Sequence, residues 1–404
     1  MINPETLAWA ALAHATGVGP VTFARLVERV GTASDVLSHA SHAPGRAFLS
    51  EAAAEGDGQR IAGDVLSAIA EAAACIAGLE RSIHDHGLRV IALPDADYPA
   101  RLRSIELPPP VLYVSGDPGS LGRPAAVAIV GTRRPTEAGR GFAARAAEAI
   151  AAAGATVVSG LAFGVDAAAH GGAIRTGTPT VAVIGGGHAR LYPAGHRHLA
   201  TAIVAGGGAV VSEHAPEVHP NRGTFPRRNR VISGLADATV VVEAGARSGA
   251  LTTAAWALHQ SRALFLVPGR PGDPSVAGSL AFLRETHGES HLVAGIPELV
   301  EDLGLRVETW SASAGSPAGA GMAGAGETER RVAVALNAGS TSVDLLAAAT
   351  DLPPAAILAA LTMLEVRGVV VGSFGRYRPV GTLAGATRLR RPQTRPPGRA
   401  RPRE

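Results

Sequence analysis

AAVAIVGTRRPT, residues 125–136, opens a pattern from which the architecture follows: a short apolar run that stops at a loop of Gly, Thr and Arg. The run Ala125–Val130 is followed by Ala155–Val158 (ATVV), Thr180–Ile184 (TVAVI), Gly208–Ser212 (GAVVS), Ala238–Glu243 (ATVVVE) and Ala263–Val267 (ALFLV). Each is too short for a helix that must bury its surface. Most are β-branched and continuously apolar, as strands covered on both faces are. Ala-rich segments long enough for crossover helices lie between them. The alternation predicts a doubly wound, mostly parallel α/β sheet. Ligands of such sheets bind beyond the carboxyl ends of the strands, so function is expected in the loops after the runs.

A chain of 404 residues has room for two to four domains. Hydrophobic content of 46% against 18% charge supports a buried core and excludes global disorder. The lone Cys75 excludes a disulfide framework and a cysteine-rich metal site, and suits a reducing compartment. No apolar stretch approaches the ~18 residues of a membrane span, and the start MINPETLAWAALAHATG lacks a basic leader. A cytoplasmic location is expected. Net charge is +3, but residues 381–404 carry seven Arg and one Glu, which leaves the body of the chain at −3. The high pI is therefore a tail effect. Every basic residue outside histidine is Arg, a bias that genome composition explains without any function.

Outside the sheet the chain divides readily. Residues 1–80 are expected to form an N-terminal helical domain of the helix–hairpin–helix type, with Gly17-Val18-Gly19-Pro20 either a plain turn or a loop offering N–H groups to a phosphate. Within it, residues 46–60 are expected to be a loop and Ile61–His86 one long helical stretch. Residues 81–305 hold the sheet, with further strands at Leu88–Leu93, Val111–Val114 and His291–Val293. The composition of SASAGSPAGAGMAGAG marks residues 306–326 as a flexible linker. Residues 327–380 read as three helices and a hairpin, the order of a winged helix. The third of these helices, in PAAILAALTMLEVRG, offers one basic side chain, so protein contact or regulation is as good a reading as DNA binding. The Arg/Pro-rich residues 381–404 are expected to be disordered.

Several loops could seat an anion. Gly131-Thr132-Arg133-Arg134 precedes a helix start near Thr136–Glu137, whose dipole favours negative charge. It matches neither the dinucleotide G-x-G-x-x-G nor the phosphate loop with Lys. Ser159-Gly160-Leu161-Ala162-Phe163-Gly164 precedes Asp166, which is expected to cap the next helix. Ser248 and Gly249 open a further helix. The stretch HPNRGTFPRRNR, residues 219–230, places four arginines around Phe225. That combination suits single-stranded nucleic acid, whose phosphates need cations and whose unpaired bases need a stacking surface. It equally suits arginines that pair with Glu213, Glu217 and Asp237. No loop joins a nucleophile to a base and an orienting acid, and no cluster has metal-ligand spacing, so a binder is expected and not an enzyme, with no cofactor.

The run VAIVGTRR…SGLAFGVDAAAH…AVIGGGHARLYP…SEHAP…FPRRNRVISGLADATVVVEAGARSGALTTA…VPG resembles the DNA-processing protein A family, DprA or Smf, densely over residues 85–295. The resemblance implies a Rossmann-like domain that binds single-stranded DNA without base specificity and without catalysis. It implies a homodimer that protects incoming DNA and loads RecA recombinase during natural transformation. Carried over by motif, Gly131, Thr132 and Arg133 hold a phosphate with help from Ser159, Gly160 and Gly164. Arg222 and Phe225 supply a basic contact and an aromatic one. Arg228 meets phosphate, Asn229 and Arg230 brace the pocket from behind, and Ser248 and Gly249 add contacts. Two departures stand out: Gly278-Ser279-Leu280 replaces a Gly-Thr-Asn-like step, and His196 replaces a usual Asn. The rival reading is a phosphoribohydrolase on a related sheet, with Glu243 as the acting carboxylate, although the Pro-Gly-Gly-x-Gly-Thr loop of those enzymes is missing. A third is a nucleotide-dependent regulator with a winged-helix output.

Overall fold

A computed structural model describes residues 2–54, 60–305 and 326–379, apart from 339, 341, 368, 374 and 375. The expected linker, except Gly326, and the Arg/Pro-rich tail lie outside the described residues. The chain forms two compact units, Met1–Thr309 and Trp310–Glu404.

Among the described residues, the first unit contains a nine-stranded sheet. Its strands are β1 (Arg89–Ala92), β2 (Val111–Gly116), β3 (Ala126–Gly131), β4 (Thr156–Ser159), β5 (Thr180–Val183), β6 (Ala209–Ser212), β7 (Ala238–Val242), β8 (Ala263–Leu266) and β9 (Ser290–Leu292). They lie in the order β1-β2-β6-β5-β4-β3-β7-β8-β9. The pairs from β6 through β9 are parallel, while β2 joins β6 and β1 joins β2 antiparallel. The six apolar runs are β3 to β8, each within a residue or two of its expected bounds.

Both faces of the sheet are covered, which is why the runs are apolar throughout. On β3, Val127 and Ile129 pack with Ala143, Ala147 and Ile150 of the helix Glu137–Ala152. Ala128 and Val130, pointing the other way, share a core with Val231 and Ile232 of the helix Thr224–Gly234 and Ala254 of the helix Ala250–His259. The chain runs outward from β3 through β4, β5 and β6, then returns to place β7 on the other side of β3. The strand order reverses between β3 and β7, and a crevice opens there at the strands' carboxyl ends.

The N-terminal helices share apolar packing with the antiparallel edge: Leu7, Ala10 and Ile83 meet Val90, Val111 and Tyr113. The expected boundary at residue 80 falls inside the helix Ile76–Asp85. Two local expectations fail. Residues 43–54 are a helix, not a loop, because Ala is a strong helix former and one fully buried Leu49 anchors the segment. The stretch 61–86 is two helices, Gly63–Ala74 and Ile76–Asp85, broken at Cys75.

The second unit has the helices Glu327–Asn337, Val343–Thr350 and Pro354–Val366, then β10 (Val370–Ser373) antiparallel to β11 (Arg376–Pro379). Val332, Leu336, Leu346, Ile357, Leu361 and Leu364 form its core. The outer face of Pro354–Val366 is largely apolar, with Leu358 45%, Met363 45% and Val366 77% exposed beside Thr362 and Glu365. No single helix among the described residues is long and apolar enough to cross a membrane.

Candidate nucleic-acid interface

The crevice between β3 and β7 is a cleft of about 750 Å³. One wall is the loop after β3, with Gly131, Thr132, Arg133 and Arg134. The other is the loop after β7, with Arg247, Ser248 and Gly249, and the first turn of the helix Ala250–His259. Phe225, Arg228 and Asn229, from the helix Thr224–Gly234, close it. Four arginines line this cleft against one carboxylate, Asp166. Arg133, Arg134 and Arg247 are exposed. The Arg133 guanidinium lies 5.6 Å from the centre of the Phe225 ring, within cation–π range.

The helix that carries Phe225 begins where it does because Asn221 satisfies its leading N–H groups. The Asn221 Oδ1 accepts from the backbone of Gly223 and Thr224 at 2.8 and 3.2 Å. Arg222 sits exposed on this turn, outside the cleft lining. Phe225, three residues on, is half-buried at the rim. Sequence spacing alone would have put both in one place.

Of the expected site residues, Gly131, Thr132, Arg133, Phe225, Arg228, Asn229, Ser248 and Gly249 are brought together in the cleft. Of the remainder, Arg222 is exposed outside it, whereas Ser159, Gly160, Gly164 and Arg230 are spent on the scaffold, and Arg228 is engaged there as well. Its side chain is buried and its Nη1 donates to the carbonyls of Gly160 (2.6 Å) and Val183. Burial lowers its pKa to about 10, opposed by the charge of Asp166. The expected phosphate ligand thus lines the cleft from a buried position, with one nitrogen given to two carbonyls and the Asp166 charge nearby. Ser159 is fully buried and donates its hydroxyl to the Ile129 carbonyl at 2.6 Å. Gly160 gives its N–H to Asp166, and a side chain there would run into the Arg228 guanidinium. Gly164, at φ +83°, packs on the Thr132 carbonyl, a conformation and a contact that favour glycine. Arg230 forms a buried pair with Glu213 (2.7 Å) and donates to the Leu107 carbonyl (3.1 Å). Asn229 ties its helix to the Gly249 carbonyl at 3.2 Å.

Two further expectations change. Asp166 does not cap its own helix, whose cap is Gly164. Its Oδ2 accepts from the N–H groups of Gly160 and Ala162, six and four residues upstream, and so fixes the loop after β4. Burial pushes its carboxyl up, against the pull of Arg228 and those two N–H groups. The second change concerns the helix Glu137–Ala152, whose N-terminus was expected to attract an anion. The anion is internal. Glu243 accepts from the Thr136 N–H at 2.8 Å and from the Thr136 hydroxyl, and its carboxylate packs on Gly139. A helix N-terminus that lines the cleft is that of Ala250–His259, where the Ser248 hydroxyl accepts from the Ala250 N–H at 3.3 Å and the Ser248 and Gly249 carbonyls accept from Leu251 and Thr252.

Both arginines of the loop after β3, Arg133 and Arg134, are exposed at the cleft, where the sequence reading has two bidentate guanidinium groups for a phosphate. Arg247, also exposed there, was not singled out. No sequence signal existed for it. The two departures from the family pattern also find places. Ser279 accepts from the Ala244 N–H at 3.1 Å and returns a backbone bond, which braces the loop after β7. His196 bonds the Leu161 carbonyl at 2.8 Å.

The chain matches the family model described as DNA recombination-mediator protein A over residues 89–304. A DprA-like N-terminal HHH domain matches residues 3–46 and a DprA winged helix domain residues 316–375. It is 36% identical over 399 residues to a protein of Mycobacterium tuberculosis bearing the DprA name, covering 95% of this chain and 97% of that one. Protein Smf of Synechocystis is 34% identical over 316 residues, 75% of this chain and 74% of that one. The X-ray structure of DNA processing protein A from Streptococcus pneumoniae superposes with a TM-score of 0.60 at 26% identity, covering 75% of this chain and 99% of that one. The chain belongs to the DNA-processing protein A (DprA/Smf) family of DNA recombination mediators.

Proposed function

We propose that the cleft binds single-stranded DNA without base preference and without catalysis. In this reading the protein acts in the cytoplasm as a homodimer that protects incoming DNA and delivers it to RecA recombinase during natural transformation. The carrying observation is the Arg133–Phe225 pair at the mouth of a cleft with one buried carboxylate among four arginines. Exposed guanidinium groups neutralise phosphates and release their counterions, and a ring beside them takes a base that is not stacked in a duplex. Nothing in this chemistry reads base edges. Arg133, Arg134 and Arg247 are the proposed phosphate contacts, with Thr132, Ser248 and Gly249 beside them. Arg222 attracts the strand as it leaves. Arg228, Asn229, Arg230, Ser159, Gly160 and Gly164 hold the walls.

The phosphoribohydrolase reading needs a free carboxylate, and Glu243 is engaged by Thr136. Fluorescence anisotropy with labelled oligo-dT and the matching duplex, across a salt series, tests the proposal. Tight, salt-sensitive preference for the single strand is expected. Equal affinity for duplex and single strand would overturn it, and release of free base from a nucleotide panel would restore the enzyme.

A further inference from the structure

We infer that the single strand does not end at the cleft but continues across an aromatic rim formed by Phe225, Tyr192 and Phe163. Aromatic residues make up only 4% of the chain, yet three successive strands of the sheet each send one to this edge. Phe163 comes from the loop after β4, Tyr192 from the loop after β5, and Phe225 from the segment after β6. Because β4, β5 and β6 are neighbours in the sheet, the rings run sideways from the crevice along the carboxyl ends of the strands.

Tyr192 and Phe225 are in contact, and Phe163 is joined to the Tyr192 loop through His196. Tyr192 and Phe225 have centroids 5.7 Å apart, tilted by 59°. Phe163 meets His196 edge-on at 4.6 Å, and His196 lies four residues after Tyr192 on the same loop. The His196 Nδ1 contact to the Leu161 carbonyl, at 2.8 Å, locks that loop to the one bearing Phe163. Ala162, next to Phe163, lines the cleft itself. The rim is therefore continuous with the proposed phosphate site and begins at the ring that Arg133 covers.

Exposure says what the rim lacks. Phe163 is 48% and Tyr192 49% exposed. Rings held half in water on loops tied by a hydrogen bond are a surface for flat apolar faces, and the unpaired bases of a strand whose phosphates enter the neighbouring cleft supply them. Stacking is indifferent to base identity, as the cleft is. The rim thus lengthens the footprint by successive bases without adding sequence preference. This inference rests on the cleft being the single-strand site.

The test uses the full chain, oligo-dT of graded length from about 4 nucleotides to well beyond one site (~4–16 nucleotides in comparable folds), and the variants Phe163→Ala, Tyr192→Ala and their double. The expected result is a loss of about five- to hundredfold in affinity for long oligonucleotides, with the shortest ones unaffected. The salt slope stays unchanged, because a neutral ring releases no counterions. Tyr192→Phe, which keeps the ring, retains wild-type affinity and separates stacking from misfolding. Phe225→Ala is the control for the cleft. If it weakens binding while the rim variants bind every length like wild type, the rim is not part of the DNA path and a protein partner becomes its occupant. If Phe225→Ala also binds like wild type, the cleft reading itself fails and the rim inference with it.

Discussion

The two units dispose of their unusual side chains in opposite ways. The sheet unit buries charge: Arg228 beside Asp166, and Arg230 against Glu213. The winged-helix unit exposes apolar surface along Pro354–Val366, a helix with no basic residue inside its bounds. By composition the roles look reversed, since HPNRGTFPRRNR is the basic stretch and PAAILAALTMLEV the apolar one. A buried ion pair holds a loop geometry in place, because removing one partner strands the other in a poor solvent. An exposed apolar helix face offers no phosphate contact and is suited to other surfaces. Composition therefore states what a segment carries, and packing states which of it meets the ligand.

The largest expected effect attacks the buried side of this contrast. Arg228→Ala leaves the buried Gly160 and Val183 carbonyls without their donor and should destabilise the fold by ~1–3 kcal/mol for each in a denaturant melt. A change under 1 kcal/mol would mean that the two carbonyls find water instead and that Arg228 is available to DNA. Phe225→Ala should leave stability nearly unchanged and cost ~1–3 kcal/mol in single-strand affinity, measured by anisotropy; loss of fold instead would make the ring a core element.

The third prediction probes burial through pH. Burial, with help from His196 and Arg228, lowers His170 to about 3, and burial lowers His188 to about 4. The unfolded chain protonates both near 6.5, so below that pH it binds protons that the folded chain refuses. Their contribution is intact above 6.5 and falls on acidification by ~1.4 kcal/mol per pH unit for each histidine until the folded values are reached. Chemical denaturation at a series of pH values should show this slope, and His170→Gln should reduce it. A flat profile from 6.5 to 4.5 would show that the histidines are accessible.

Two smaller effects sharpen the exposed side. Arg222→Ala should lower the slope of log affinity against log salt by about one, for any sequence. An unchanged slope would remove Arg222 from the DNA path. Leu358→Glu, on the outer face of the winged-helix unit, should shift stability by no more than ~0.5 kcal/mol and leave single-strand affinity intact. A loss of affinity there would bring that helix into DNA binding.

Much of this was legible from the chain alone. The six apolar runs and their spacing specified the parallel strands, since burial on both faces leaves little choice of residue. Glycine, Ser and Thr after each run marked the loops that gather at one edge. The antiparallel β1 and β2 were read as strands, but nothing local told that they extend the same sheet. Glu243 was the least legible residue. A carboxylate at a strand end looks chemical until Thr136, 107 positions away, is found to hold it.

The sequence by itself determined the architecture, the placing of the loops and the inventory of arginines and rings. These follow from hydrophobic period and backbone preference, which act over a few residues. Only the tertiary structure decided which arginines face the cleft, which helix N-terminus lines it, and that Phe163, Tyr192 and Phe225 lie along one edge. Those outcomes depend on partners far apart in the chain, such as Arg228 and the Gly160 carbonyl 68 residues away. Desolvation and ion pairing are settled where such segments meet, and no local pattern encodes that meeting.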